Sequence, residues 1–249
     1  MLLDVRMRDS GERLFRRRSY VLLIFLPLVG LAVWRGEPLE RALGHGWGDL
    51  YEAACVALVA AGLGLRAFTV GFVPGKTSGR NTGGQVAREL NTTGIYSLTR
   101  NPLYLANCMS YLGVMLFTQD LLLSLAFGFF LVVYYERIIL AEEAFLLAKF
   151  GDAYRAWAAE VPVFLPRLRG WKRPALPFSL RSVLRREYPG WLAAVFALAL
   201  IDVLADLGTE EHQGLADEAW LPTLGVFALV WLSLHLLNRR TRLLRVPGR

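Results

Sequence analysis

Residues 102–117, PLYLANCMSYLGVMLF, are followed after Thr118-Gln119-Asp120 by residues 121–140, LLLSLAFGFFLVVYYERIIL. Both runs are almost wholly apolar, lack the two-residue alternation of a strand, and are too long for one, so they read as helices. A three-residue link leaves them no choice but to run antiparallel, and the pair is a tight hydrophobic hairpin. The first run is the shorter and leans on the second to reach across a bilayer. Working outward, apolar runs recur at 19–34, 50–73, 191–207 and 220–237, each of roughly 16 to 24 residues, near the length a membrane demands. The whole chain of 249 residues is 55% hydrophobic, with a mean hydropathy of +0.38. This pattern predicts an all-α, polytopic helical membrane protein with about six transmembrane helices. It divides into a basic amino-terminal segment with the first span (1–49), a core (50–170), and an interfacial segment with two carboxyl-terminal spans (171–249).

Charge orients these spans. Six Lys or Arg precede residue 19, four lie in 74–101, ten in 137–190 and five after 237, against two in 35–49 and none in 208–219. Cations collect on the cytoplasmic side of inserted helices, which puts both termini there and turns the loop carrying Glu210, Glu211, Asp217 and Glu218 outward. The net charge of +7 therefore reflects topology and anionic headgroups. Nucleic-acid binding is a poor reading, because the cations flank apolar runs. Arg16-Arg17-Arg18 before the first run resembles a signal peptide, yet no small-residue cleavage site follows, so an uncleaved signal-anchor is expected. Cys55 and Cys108 fall within spans, which argues against a disulfide framework. His45, His212 and His235 share no ligand spacing, and no metal is expected.

The polar residues that break the apolar pattern are the candidates for function. The turn Tyr96-Ser97-Leu98-Thr99-Arg100-Asn101-Pro102 opens a span, with Pro102 suited to a first helical turn. Tyr104 and Asn107 follow within one turn of each other on adjoining faces. Polar side chains inside a span are costly and commonly mark a site, although an arginine at a helix end can simply anchor it. Glu142 and Glu143 are two carboxylates beside a surface that repels anions, a position that calls for a cation or a donor-rich ligand. Ordinary ion pairs along the helix are the plainer explanation, and Arg137, five positions earlier, does not share a strict face with Glu142. Arg66 lies inside the second span, where it must snorkel or meet an anion. Gly62 and Gly64 permit close approach of a backbone or a cofactor, as span packing alone also would. Between the second and third spans, residues 74–93, PGKTSGRNTGGQVARELNTT, set Lys76 and Arg80 among small donors suited to an anionic headgroup.

Taken in this order, these pieces resemble the integral-membrane methyltransferases that include isoprenylcysteine carboxyl methyltransferase and phospholipid N-methyltransferase. Arg100-Asn101-Pro102 resembles the Arg-His-Pro turn of the prenylcysteine enzymes. Asn101-Pro102-Leu103-Tyr104 with Tyr111-Leu112-Gly113 looks more like the corresponding stretch of phosphatidylethanolamine N-methyltransferase. Gly62 and Gly64 resemble that enzyme's glycine motif, Glu142-Glu143 its acidic pair, and residues 143–166 the carboxyl-terminal signature of the prenylcysteine enzymes. The resemblance covers about residues 50–170 and makes that segment a methyltransferase core. It implies an S-adenosylmethionine site at the cytoplasmic side, with Gly62, Gly64, Asn101, Pro102, Leu103, Glu142 and Glu143 toward the cofactor. Asn101 stands where the family often has histidine, and the two last spans go beyond the family core.

Catalysis is then expected from Arg100, Arg137 and Tyr104, with Arg66, Lys76, Arg80 and Asn107 toward the substrate. A carboxylate or phosphate nucleophile is ionised at neutral pH and needs only a cation to orient it, whereas an amine must first lose a proton. The cationic residues favour methylation of an anionic oxygen on a lipid or lipidated substrate. N-methylation of a phosphoethanolamine headgroup and isoprenylcysteine carboxyl methylation remain alternatives. So does a non-enzymatic transporter or lipid-binding scaffold, though no internal repeat supports it. An Arg-rich, Ala- and Leu-heavy composition suggests the inner membrane of a bacterium with a GC-rich genome.

Overall fold

The computed structural model describes residues 2–18, 20–35, 42, 44–75, 85–208 and 215–249. Helices account for the fold, and no strand is present among these residues. In chain order they are α1 (Leu3–Arg17), α2 (Leu26–Trp34), α3 (His45–Phe72), α4 (Pro102–Leu116), α5 (Leu121–Phe150), α6 (Asp152–Glu160), α7 (Leu180–Gly208) and α8 (Leu215–Arg240), with 3-10 turns at Val21–Phe25 and Ile95–Ser97.

Four helical stretches are long and apolar enough to cross a membrane: Gly46–Phe72, Leu121–Phe150, Leu180–Ala205 and Trp220–Arg240. The bent pair Leu3–Arg17 and Val21–Trp34, angled at 87°, would make a fifth. Length and composition thus support four or five spans where the sequence predicts six, and the shortfall has a simple cause. At 15 residues α4 is about 22 Å long, short of the ~30 Å hydrocarbon core. The predicted first span, 19–34, begins at a residue outside the described set and starts as a 3-10 turn. Of the predicted outward loop, residues 209–214 lie outside the described residues, and helix resumes at Leu215.

The hairpin of α4 and α5 forms as predicted, and its link is pinned. Thr118 Oγ1 donates to the Met115 carbonyl at 2.7 Å, and the buried Gln119 adopts a left-handed φ of 57° and donates to Glu52 of α3 at 3.3 Å. Asp120 then caps α5 by accepting from the Leu123 N–H at 2.9 Å, which satisfies one of the helix's free donors. At the far end Gly151 takes φ +52° and closes α5 before α6, a conformation that glycine adopts without a Cβ penalty.

Close approach of α3 and α4 rests on two glycines. A Cβ at Gly62 would sit against Ser110 Oγ and 2.6 Å from the Ala106 carbonyl oxygen, and one at Gly113 would sit 2.8 Å from Val59. On the other side of the hairpin, Gly11 of α1 lies directly on the Arg137 carbonyl of α5, and Phe15 enters a core with Phe127, Leu131, Tyr134, Tyr135 and Ile138. α7 packs on α3, and α8 packs on α7. Gly62→Leu is expected to force α3 from α4 and destabilise the protein by about 1–3 kcal/mol, read as a lower Tm in detergent. An unchanged Tm would mean that the helices do not meet there.

Candidate active site

The site is organised by a turn that the following chain holds in place. Gly94, at φ +60°, leads into the turn Ile95–Ser97. Ser97 and Thr99 are fully buried, and their hydroxyls donate to the carbonyls of Gly94 at 2.6 Å and Phe164 at 2.8 Å. The Arg100 N–H donates to Pro162, the Arg167 N–H to Leu98, and Trp157 Nε1 to Tyr96, at 2.9, 3.0 and 3.1 Å. Prolines at 162 and 166 keep this stretch from coiling into helix, so its carbonyls stay available to the turn. Asn101 Nδ2 donates to the Val163 carbonyl at 2.9 Å, and Pro102 is buried at the first position of α4. Asn101 thus ties the turn to the stretch around Val163, and Pro102 packs at the start of α4. Leu103 is half-buried.

Arg100 reaches Glu143 of α5, with Nη1 3.1 Å from Oε1; their side chains are 13% and 29% exposed. The contact is an ion pair by distance but lies off a hydrogen-bond axis. It leaves Arg100 Nε and Glu143 Oε1 buried without hydrogen-bond partners. The Tyr154 hydroxyl interacts with both. Burial, reinforced by the Glu143 carboxylate, pushes the Tyr154 phenol well above its usual range, so it stays a neutral donor.

Glu142 points elsewhere. One residue along a helix is a turn of about 100°, and this carboxylate interacts with the Tyr104 hydroxyl and the Arg18 charge. Arg18 itself covers the Phe15 ring at 4.1 Å. The Tyr104 ring packs on Tyr135, centroids 4.9 Å apart at 37°. The acidic pair is thus two sites of one carboxylate each, on adjacent faces of α5.

Deeper among the helices, Arg66 makes a two-pronged contact with Glu187 of α7, Nε to Oε2 at 2.8 Å and Nη2 to Oε1 at 3.3 Å. Arg66 Nη1 donates to Asn107 Oδ1, and Asn107 interacts in turn with the Tyr135 hydroxyl. Glu187 is only 2% exposed and Arg66 19%. A chain of polar contacts thus runs from α7 through α3 and α4 to α5, ending at the Tyr135–Tyr104 stack.

Arg66 and Asn107, expected toward the substrate, contact each other, and Arg66 also pairs with Glu187. Arg137 is not brought to Arg100: it lines a groove with Leu3, Arg6, Met7, Asp9, Ser10 and Arg13 on α1, because it lies about 120° around α5 from Glu143. Gly62 packs on α4, while Gly64 faces open space. Lys76 and Arg80 lie outside the described residues. Sequence reasoning missed Glu187, Tyr135, Tyr154 and Arg18. For Glu187 the sole signal was a carboxylate among arginines just before an apolar run, with its partner 121 positions away. Among the described residues no group of three or more His, Cys, Asp or Glu side chains could hold a metal ion.

Fold and site together define an integral-membrane protein with a charged, tyrosine-lined site set between its helices. Residues 54–153 match the model of the phospholipid methyltransferase family. The chain is 30% identical over 149 residues to the nickel-cobalt-cadmium resistance protein NccN of Alcaligenes xylosoxydans xylosoxydans, covering 58% of this chain and 68% of that protein. It is 33% identical over 85 residues to the cobalt-zinc-cadmium resistance protein CzcN of Cupriavidus metallidurans, covering 34% of this chain and 39% of that one. It is 32% identical over 77 residues to the protein-S-isoprenylcysteine O-methyltransferase of Schizosaccharomyces pombe, covering 31% and 33%. No solved structure matches. The chain belongs to the phospholipid methyltransferase family. As a member of that family it is a membrane methyltransferase, which sets aside the transporter and scaffold readings.

Proposed function

We propose that the protein moves the methyl group of S-adenosylmethionine to an anionic oxygen, phosphate or carboxylate, of a lipid or lipidated substrate. The observation that carries this reading is the buried Arg100–Glu143 ion pair, in which the Arg100 Nε donor is left over. A buried N–H without a hydrogen-bond partner carries a desolvation penalty that a ligand would relieve. The donor set fits both reactants. Arg100 Nε suits an anionic oxygen, and Glu143 Oε1 suits the ammonium or ribose hydroxyls of the cofactor.

S-adenosylmethionine supplies an electrophilic methyl on a cationic sulfur. Glu142 and Glu143 would hold the cofactor, with Gly64 leaving room beside α3. The Tyr104 ring, tilted against Tyr135, would offer its negative quadrupole to a passing cation. Arg100 orients the nucleophile, and Tyr154, kept protonated, steadies Glu143. A phosphate or carboxylate needs no base, so positioning is what these residues contribute. The cation distribution supports a site at the cytoplasmic side with both termini inside, and the composition supports a bacterial inner membrane.

The test is transfer of tritiated methyl from S-adenosylmethionine by protein in phosphatidylcholine nanodiscs, offered phosphatidic acid, N-acetyl-farnesylcysteine or phosphatidylethanolamine. Label is expected in the phosphate or the carboxylate acceptor. Label in phosphatidylethanolamine alone would replace this reading with N-methylation.

A further inference from the structure

We infer that Glu187 is a positioning residue for methyl transfer, supplied by a helix that lies outside the segment shared with the family. The inference rests on the site described above. Glu187 belongs to α7, whereas the family match ends at residue 153. Its carboxylate is nearly inaccessible and grips Arg66 by two oxygens.

A buried ion pair seldom adds stability, because removing two charges from water costs about what their attraction returns. In a membrane the cost is steeper, and charged residues there usually serve a task. The task here can be followed contact by contact. With both Nε and Nη2 held by Glu187, the planar guanidinium has one orientation, and its Nη1 fixes Asn107 Oδ1. An amide so fixed must turn its N–H donors away from Arg66, and Tyr135 is the neighbour that interacts with it there. Tyr135 in turn packs on the Tyr104 ring, whose hydroxyl interacts with Glu142. Without Glu187 the guanidinium would be a buried, uncompensated cation and would turn toward another oxygen. Asn107 would then be released and the tyrosine stack loosened, while Glu142, Glu143 and Arg100 stayed in place. On this account Arg66 does not read the substrate's charge, since Glu187 already neutralises it. The carboxyl-terminal helices complete the enzyme.

The test measures S-adenosylmethionine affinity by calorimetry and turnover on phosphatidic acid in nanodiscs for three variants. Glu187→Gln keeps the shape and loses the charge. Glu187→Asp keeps the charge on a shorter arm. Arg66→Met with Glu187→Leu removes both charges together, a change that need not destabilise the fold. Glu187→Gln is expected to lower kcat by about a hundredfold, with lipid KM and cofactor affinity within about twofold. Glu187→Asp should recover part of the loss. The double variant, folded with a Tm at or above that of Glu187→Gln, should be equally slow. If Glu187→Gln does not fold, the double variant carries the test alone. A double variant with wild-type kcat would make the pair structural and overturn the proposal. Tyr135→Phe and Glu142→Gln serve as controls on the site: slow controls with a fast double variant sink Glu187 alone, and controls at wild-type rate sink the site and the proposal together.

Discussion

Arg100→Ala is expected to bring lipid methylation down by about two to three orders of magnitude, the usual loss when one preorganised charge donor is removed from a reacting centre. The guanidinium is mostly buried against Glu143 of α5, and its Nε has no hydrogen-bond partner within the protein. If it holds the nucleophile, its loss appears in kcat and much less in cofactor affinity. Arg100→Lys keeps the charge but loses the planar fork, so it should retain only part of the activity. The contact with Glu143 allows a sharper control. Arg100→Ala also strands a buried carboxylate, so Arg100→Ala with Glu143→Gln separates the loss of the donor from the stranding of its partner. An alanine variant that loses cofactor binding but turns over at saturating S-adenosylmethionine would assign Arg100 to the cofactor carboxylate.

Glu142→Gln with Glu143→Gln is expected to weaken S-adenosylmethionine binding strongly while leaving the helices assembled. A hydrogen bond to a charged group contributes about 1.5–3 kcal/mol, which is about a tenfold to hundredfold loss in affinity for each carboxylate. The two single variants should differ. Glu143→Gln disturbs Arg100 and Tyr154, whereas Glu142→Gln releases the Tyr104 hydroxyl beside the tyrosine stack. Unchanged affinity in calorimetry would remove both residues from the cofactor site.

The contrast between these two glutamates explains what was legible beforehand. Their adjacency invited reading them as a pair, and the sequence does place two carboxylates at the polar end of a long apolar helix. Their separate roles depend on which neighbours approach each face of α5. Those neighbours come from α4, from the turn at Arg100, from Tyr154 of α6 and from Arg18 at the end of α1. Arg137 shows the same effect in reverse: near Glu142 in number, it is carried by helical rotation into the groove beside α1. Asn101 drew notice as a replacement for histidine, and its amide turns out to tie the turn to Val163.

What the sequence determined by itself is local. Apolar runs longer than a strand had to become helices, because a backbone in hydrocarbon must satisfy its own hydrogen bonds. Pro102 begins α4, Asp120 begins α5 and Gly151 ends it, each through the geometry of one or two residues. The polar turn at 96–101 was equally visible, since it breaks the apolar pattern just where a span begins. Only the tertiary structure decided which charge meets which. Arg66 and Glu187 are far apart along the chain and become bidentate partners because α7 packs on α3. Charge attraction falls off with distance and has no direction of its own, so a list of charged residues does not fix its pairs. The pairs follow from helix packing, which glycines such as Gly62 and Gly113 permit by letting backbones touch.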